Sequence, residues 1–304
     1  MASLYTQQSS NIWKTWFLMT AFLVLAVGIG LAVSWYFDMP LILYVAVAFS
    51  LIMNIAAYWW SDKIALRATG AHEADEAHHR ELHRIVENLA KTAGLPKPRV
   101  YIINDDAPNA FATGRNPQNA AVAVTTGLMA RLERSELEGV IAHELAHIGN
   151  RDILVMTVAV VLAGVIAILA DIFLRMSLFG GGGDRGRGNP LILIAALLGI
   201  IIAPIAAKLI QMAVSRRREF LADATGALMT RYPDGLASAL MKISSYRAPM
   251  RRANHATAHL FISNPFGGSA DSAAAAQGGA FIARMFSTHP PVEERVAALT
   301  GLRV

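Results

Sequence analysis

His143-Glu144-Leu145-Ala146-His147 reads H-E-x-x-H. Residues four apart on an α-helix share a face, one turn above the other. With 136–150 helical, His143 and His147 aim two imidazoles at one metal ion, and Glu144 stands beside the first, close enough to hold a water there. Two neutral nitrogen ligands, a general base and an open coordination position are what a zinc peptidase needs. Leu137, Val140, Ile141 and Leu145 recur at helical spacing, so the motif rides on a packed helix entered through Leu132-Glu133-Arg134-Ser135-Glu136-Leu137. The competing reading is a helix with two surface histidines and an acid. The chain holds no cysteine. No disulfide can form, and further zinc ligands must be His, Asp or Glu.

The best source of a third ligand is Arg218-Glu219-Phe220-Leu221-Ala222-Asp223. Glu219 and Asp223 are four apart and share a helical face, so one can ligate zinc while the other accepts a hydrogen bond from a ligand histidine and fixes its tautomer. Two solvated acids beside an arginine run is the bland alternative. Glu219 lies 72 residues beyond His147, long for a compact peptidase. The intervening chain is mostly an apolar hairpin that leaves the site and returns to the same side. From His147 to Ile153 is about 9 Å of helix, and from Val214 to Glu219 about 7.5 Å, at the usual rise. Both arms return to a similar height, which places the zinc near the membrane surface.

The chain has 304 residues, a net charge of +5, 16% charged residues and a mean hydropathy of +0.41. That balance points to an integral membrane protein rather than a soluble enzyme. The basic excess belongs to loops at a membrane surface, and no nucleic-acid-binding motif is present. Four segments are long and apolar enough to cross a bilayer: 16–37, 41–60, 153–174 and 191–214. Trp13, Trp16, Trp35, Tyr36, Tyr58, Trp59 and Trp60 gather at the ends of the first two, where amphipathic rings suit the interface. The first segment is too long for a signal-peptide core and is read as a retained helix. The third, with Asp171 near its end, has a buried core helix as its alternative. Pro204 would kink the fourth, and Lys208 would snorkel. Lys14, Lys63, Arg67, Arg151 and Arg216-Arg217-Arg218 place both termini and the polar segments in the cytoplasm; Arg175, Arg185 and Arg187 around the glycine-rich 180–188 loop count against it.

Other residues carry weaker signals. His79 and His83 are four apart, on a charged amphipathic helix over 73–91 whose core face is Leu82, Ile85, Val86 and Leu89; a solvated face is expected rather than a ligand pair. His255 and His259 have no acid in register with them. His289, in Ser287-Thr288-His289-Pro290-Pro291, either donates a hydrogen bond to the oxyanion of a tetrahedral intermediate or simply opens the C-terminal helix 292–299. The stretch 119–126 is β-rich, with a second short strand at 100–103. At a sheet edge, Ala121, Val122, Ala123 and Val124 would pair with an extended substrate through main-chain hydrogen bonds; otherwise this is an ordinary structural strand.

Pro108-Asn109-Ala110-Phe111-Ala112-Thr113-Gly114, Val122-Ala123-Val124-Thr125, His143 to His147, Arg218 to Asp223 and Thr288-His289-Pro290-Pro291 together resemble the membrane-bound M48 family of zinc metalloproteases, above all its heat-shock-associated members of the bacterial inner membrane. The resemblance covers nearly the whole chain. It implies one Zn2+ per chain held by His143, His147 and Glu219, with Glu144 as general base and acid, and Asp223 matches the family's acid four residues after the third ligand. It implies a gluzincin-like domain facing the cytoplasm and endoproteolysis of damaged or misassembled membrane proteins. Ala146 stands where many relatives have glycine, a change that favours the helix.

The expected architecture is α+β and mainly α, with about four transmembrane helices and a cytoplasmic catalytic domain containing a small β-sheet. Residues 1–61 form a first membrane hairpin, 62–152 the first catalytic part, 153–214 a second hairpin and 215–304 the second catalytic part. A non-enzymatic scaffold would have no use for Glu144. An intramembrane protease would carry the motif inside a span, whereas Glu136, Glu138, Asn150, Arg151 and Asp152 surround it here.

Overall fold

A computed structural model describes residues 4–179, 215–253, 257–267 and 290–302. The fourth apolar segment, the glycine-rich loop, His255 and His289 lie outside the described residues. The chain opens with two long apolar helices, α1 (Leu4–Phe37) and α2 (Pro40–Trp59), turned back on each other at Asp38-Met39. Asp38 adopts a positive φ there, and Pro40 supplies a ready-made first helical turn. Both helices are long and apolar enough to cross a membrane, and only 22% and 17% of an apolar 18-residue stretch in each is buried in the protein. Trp13, Trp35, Tyr44, Val24 and Ile52 project outward from them, a surface suited to lipid and costly in water. Inside the pair, Asn54 of α2 donates to the Met19 carbonyl of α1 at 3.1 Å, the kind of bond that holds helices together where apolar contact alone gives no preference.

The polar part begins with α3 (Ser61–Thr69), ended by the left-handed Gly70. Strand β1 (His72–Glu73) and helix α4 (Arg80–Thr92) follow. The helix starts later than the sequence suggests. Asp75 Oδ1 accepts from the N–H groups of Ala77 and His78, and such side-chain bonding diverts the backbone into a turn. The expected core face of Leu82, Ile85, Val86 and Leu89 is buried. His83 is buried too, with Nε2 3.0 Å from the Ala74 carbonyl, rather than lying on a solvated face.

Strands β2 (Arg99–Ile103), β3 (Ala110–Gly114) and β4 (Ala120–Thr125) complete a four-stranded mixed sheet in the order β1-β2-β4-β3. β4 runs parallel to β2 and antiparallel to β3. Alternation along β4 decides the packing. Val122 and Val124 join Val100, Ile102, Ala110 and Ala112 in the core beneath α4 and the H-E-x-x-H helix. Ala121 and Ala123 join Ile103 and Phe111 on the other face, against Leu154, Val155 and Val158 of the next long helix. Both faces are covered, so the strand is apolar at nearly every position.

After the short α5 (Thr126–Arg131) come α6 (Arg134–Gly149), which carries H-E-x-x-H, and α7 (Asp152–Phe179). They meet at 84°, with Arg151 in the left-handed region between them. Residues 153–162 of α7 are buried inside the protein, packed against α1, α2 and β3. Helices α8 (Arg216–Thr230), α9 (Pro233–Ser245) and α10 (Val292–Thr300) pack around α6. Among the described residues two helices qualify as spans, or three if the bent α6–α7 pair counts as one.

Candidate active site

Helix α6 is anchored at its start by a reciprocal capping box between Glu133 and Glu136. Glu136 also accepts from Ser238 Oγ at 2.6 Å and Lys242 Nζ at 2.8 Å, tying α6 to α9. From Leu137 to Ile148 all but one of the residues are buried, so the helix runs through the protein interior and presents its histidines inward. Helix α8 lies against it because Gly226 has no side chain. A Cβ there would stand 3.0 Å from the His143 nitrogen and 3.2 Å from the Ala142 carbonyl carbon.

That close approach brings Glu219 to the two histidines. His143 Nε2 and His147 Nε2 are 3.1 Å apart. Glu219 places Oε2 3.8 Å from the first and Oε1 3.5 Å from the second. One ligand atom from each residue lies within 4.8 Å of the others, and all three side chains are buried. Tetrahedral zinc, with ligand bonds of about 2.0–2.2 Å, requires a cluster of this size and these donor types.

Each histidine is backed by its own carboxylate. Asp223 Oδ1 is 2.9 Å from His143 Nδ1, and Asp152 Oδ2 is 3.0 Å from His147 Nδ1. A proton on each Nδ1 leaves the Nε2 lone pairs pointing at one another across 3.1 Å, an arrangement that needs a cation between them. Arg295 Nη2 also lies within 3.5 Å of the His143 ring nitrogens. Burial lowers His143 to about 4. Burial also disfavours charge on His147, but the Asp152 hydrogen bond and the Glu219 charge outweigh it and raise His147 to about 9. Two histidines with carboxylates behind Nδ1 and a third buried carboxylate close by fit a divalent metal between them.

The carboxylates are themselves held. Arg295 of α10, buried, sends Nε to Asp223 Oδ2 at 2.8 Å and Nη2 to Oδ1 at 2.6 Å. Burial alone would raise Asp223; the Arg295 fork and His143 hold it below the ordinary carboxylate range. Asp152 Oδ1 accepts from Asn11 Nδ2 of α1 at 2.6 Å, and Arg218 Nε lies 3.6 Å away.

Glu144 is buried on the same helix and raised to about 7 by that burial. The backbone N–H of Ala112 in β3 faces its carboxylate and offsets part of that rise, and α6 packs directly on β3. The sheet therefore meets the site through β3, its outer strand. β4 is interior, with one edge bonded to β2 and the other to β3. Ala121, Val122, Ala123 and Val124 have no free edge for a substrate, and their side chains are fully buried. The composition of 119–126 suits a strand in either position, and the sheet order makes it the ordinary structural strand.

The structure brings His143, Glu144, His147, Glu219 and Asp223 into one cluster. Asp152, Arg295 and Asn11 belong to it as well and are not singled out by the sequence. Asp152 reads there as a polar residue ending a helix. Arg295, in Val292-Glu293-Glu294-Arg295, looks like one charge on a solvated face, and Asn11 like part of a polar leader to the first span.

Fold and site together define a metallopeptidase of the H-E-x-x-H type with an acidic residue on a later helix. The family model for peptidase family M48 matches residues 76–303. The protease HtpX homolog of Caldanaerobacter subterraneus subsp. tengcongensis is 47% identical over 310 residues, covering 99% of each chain. That of Pyrococcus furiosus is 50% identical over 295 residues, covering 95% of each. The crystal structure of S. mikatae Ste24p shares the fold, with a TM-score of 0.51 and 20% identity over 95% of this chain and 67% of that one. The chain belongs to peptidase family M48 and is an HtpX-like metalloendopeptidase with membrane-type helices.

Proposed function

We propose that this chain is a zinc endopeptidase that cleaves damaged or misassembled membrane proteins as part of a stress response. The observation that carries it is the buried set of His143, His147 and Glu219 ligand atoms within 4.8 Å of one another, with Glu144 on the same helix. Zinc, when bound there, supplies Lewis-acid polarisation of the scissile carbonyl and lowers the pKa of water. Asp223 and Asp152 keep the Nδ1 protons of His143 and His147 in place, which directs each Nε2 to the metal. Glu144 takes the proton of the attacking water and delivers it to the leaving amine. β3 is the strand that aligns an extended peptide, since its outer edge lies beside Glu144. Ala110 O already accepts from Ile262 N, so pairing falls on the Ala112 to Gly114 end. His289 precedes α10, the helix that brings Arg295 to the site, and serves as an oxyanion donor.

In this reading the protease parts are 62–152 and 215–304, joined by membrane hairpins at 1–61 and 153–214. The protein resides in the cell membrane, the inner membrane of a bacterium, with four spans and both termini in the cytoplasm. Support comes from α1. Gln8 and Asn11, near its N-terminal end, bond to the Gly149 and Asn150 carbonyls, so the protease part lies at that end. Lys14, Lys63 and Arg67 lie at the same end, and cations gather on the cytoplasmic side.

The test is cleavage of an unstructured protein by the purified chain in detergent, with zinc and with a chelator. Zinc-dependent cleavage is expected, falling about 10²–10⁴-fold in Glu144→Ala. Equal cleavage by that variant would remove Glu144 from its role.

A further inference from the structure

Where α2 ends, a cleft of about 490 Å³ opens between that helix and the turn joining β3 to β4. Trp59, Trp60, Lys63, Lys97, Arg99 and Arg115 line it, with Asp62 as the one carboxylate in the lining. Asp62 is already committed to Arg99, at 2.6 Å. Lys97 leans on Glu76 at 3.2 Å. Among the described residues no ion pair engages Lys63 or Arg115. Arg115 instead lays its guanidinium over the Trp59 ring, 4.2 Å from the centroid. Stacking on a ring face occupies none of the five guanidinium N–H donors, so they remain for an acceptor that enters the cleft.

Its position indicates the ligand. Trp16 of α1 stacks on Tyr58 of α2 at 6.3 Å, and Tyr58 meets Trp59 edge-on at 5.5 Å. This is an aromatic belt shared by both candidate spans, at the depth where lipid headgroups begin. Below the cleft, Ile52, Ile55 and Trp59 recur at helical spacing, exposed by 59%, 51% and 51%, and form an apolar stripe down α2. Cations above and an apolar track below match an amphiphile with an anionic head. A soluble nucleotide or nucleic acid would have no use for the track.

We propose that this cleft binds the phosphate headgroup of an anionic phospholipid, with Lys63 and Arg115 as its principal cations and an acyl chain along Ile52 and Ile55. Arg115 directly follows β3, the strand that packs against the helix carrying Glu144, so a bound headgroup steadies the strand beside the catalytic carboxylate. Binding itself is independent of the metal and of the proposed protease chemistry, and is measured without any cleavage assay.

The experiment is native mass spectrometry of the full chain in detergent, titrated with phosphatidylglycerol or with phosphatidylcholine of the same acyl chains. Wild type is expected to hold phosphatidylglycerol about 30-fold more tightly than the Lys63→Ala, Arg115→Ala double variant, about fivefold for each cation removed. Phosphatidylcholine should bind both proteins weakly and equally. The charge-preserving pair Lys63→Arg, Arg115→Lys should retain most of the binding, and equal thermal midpoints in detergent show that the variants are folded. Equal phosphatidylglycerol binding by wild type and the alanine variant, or phosphatidylcholine bound as tightly as phosphatidylglycerol, would overturn the proposal. Displacement of the lipid by millimolar inorganic phosphate would assign the cleft to free phosphate and overturn it equally.

Discussion

Asn11 and Asp152 are joined by a buried 2.6 Å hydrogen bond between a candidate membrane helix and the carboxylate that orients His147. Asn11 Nδ2 also lies 3.2 Å from the Asn150 carbonyl, so one side chain fixes both the end of the H-E-x-x-H helix and the acid behind its second histidine. The apolar α1–α2 hairpin is therefore part of the scaffold of the site. Partners behind metal ligands typically change metal affinity by about 10–100-fold. Asp152→Asn is expected to weaken zinc binding within that range, and Asn11→Ala to act in the same direction with a smaller effect. Competition with a chromogenic chelator measures both, and unchanged affinity in both variants would confine α1 to anchoring.

Metal binding should release protons. A ligand histidine must be unprotonated at the coordinating nitrogen. His147 is raised to about 9 without metal, so at neutral pH it carries a proton that the metal replaces. Zinc affinity is expected to fall as pH drops below about 9, with release of about one proton per zinc at neutral pH. Calorimetry in two buffers of different ionisation heat counts the protons; heats independent of the buffer would show that His147 is already neutral.

The contact of α8 with α6 depends on Gly226. A Cβ at that position meets backbone atoms of a buried helix, which cannot move aside as a flexible side chain could. Gly226→Val should destabilise the fold by about 1–3 kcal/mol through overpacking, despite removing a helix glycine. It should also weaken zinc binding, because α8 carries Glu219 and Asp223. Thermal unfolding in detergent together with zinc titration checks both, and wild-type values for each would show that α8 does not need the close approach.

Glu136 links the start of α6 to α9. Burial would raise its pKa, but hydrogen bonds from Lys242, Ser238 and the Glu133 N–H outweigh burial and lower it. Glu136→Ala should cost about 2 kcal/mol, as expected for hydrogen bonds to a charged group. A carboxylate whose folded pKa is depressed contributes stability above its unfolded value of 4.5 and loses it as pH falls through the folded value. The gap in thermal midpoint between wild type and variant should therefore be full at neutral pH and close in acid. A gap that persists unchanged in acid would mean that the charge is not the source.

The sequence speaks most clearly where chemistry coincides with a local period. H-E-x-x-H and Glu219/Asp223 are patterns of four on single helices, and the core face of α4 is a helical repeat of large apolar residues. It speaks least where the decisive neighbour is distant in the chain. Nothing local distinguishes Arg295 from a solvated charge, because its burial depends on Asp223 of another helix. Nothing in Ala120–Thr125 says whether the strand is central or at an edge, since the sheet order is set by which strands flank it. The start of the third apolar segment has the same ambiguity: an all-apolar helix suits a protein core as well as a bilayer, and residues 153–162 are covered by both the candidate spans and the sheet.

The most direct test of the metal centre is the zinc content of the purified chain by native mass spectrometry at buffered free zinc, for wild type, Glu144→Gln and Glu219→Ala. Wild type and Glu144→Gln should each carry one zinc, with cleavage lost only in the second, and Glu219→Ala should lose zinc at the concentrations that saturate the other two. Wild-type zinc affinity in Glu219→Ala would contradict the three-residue metal centre on which the account rests.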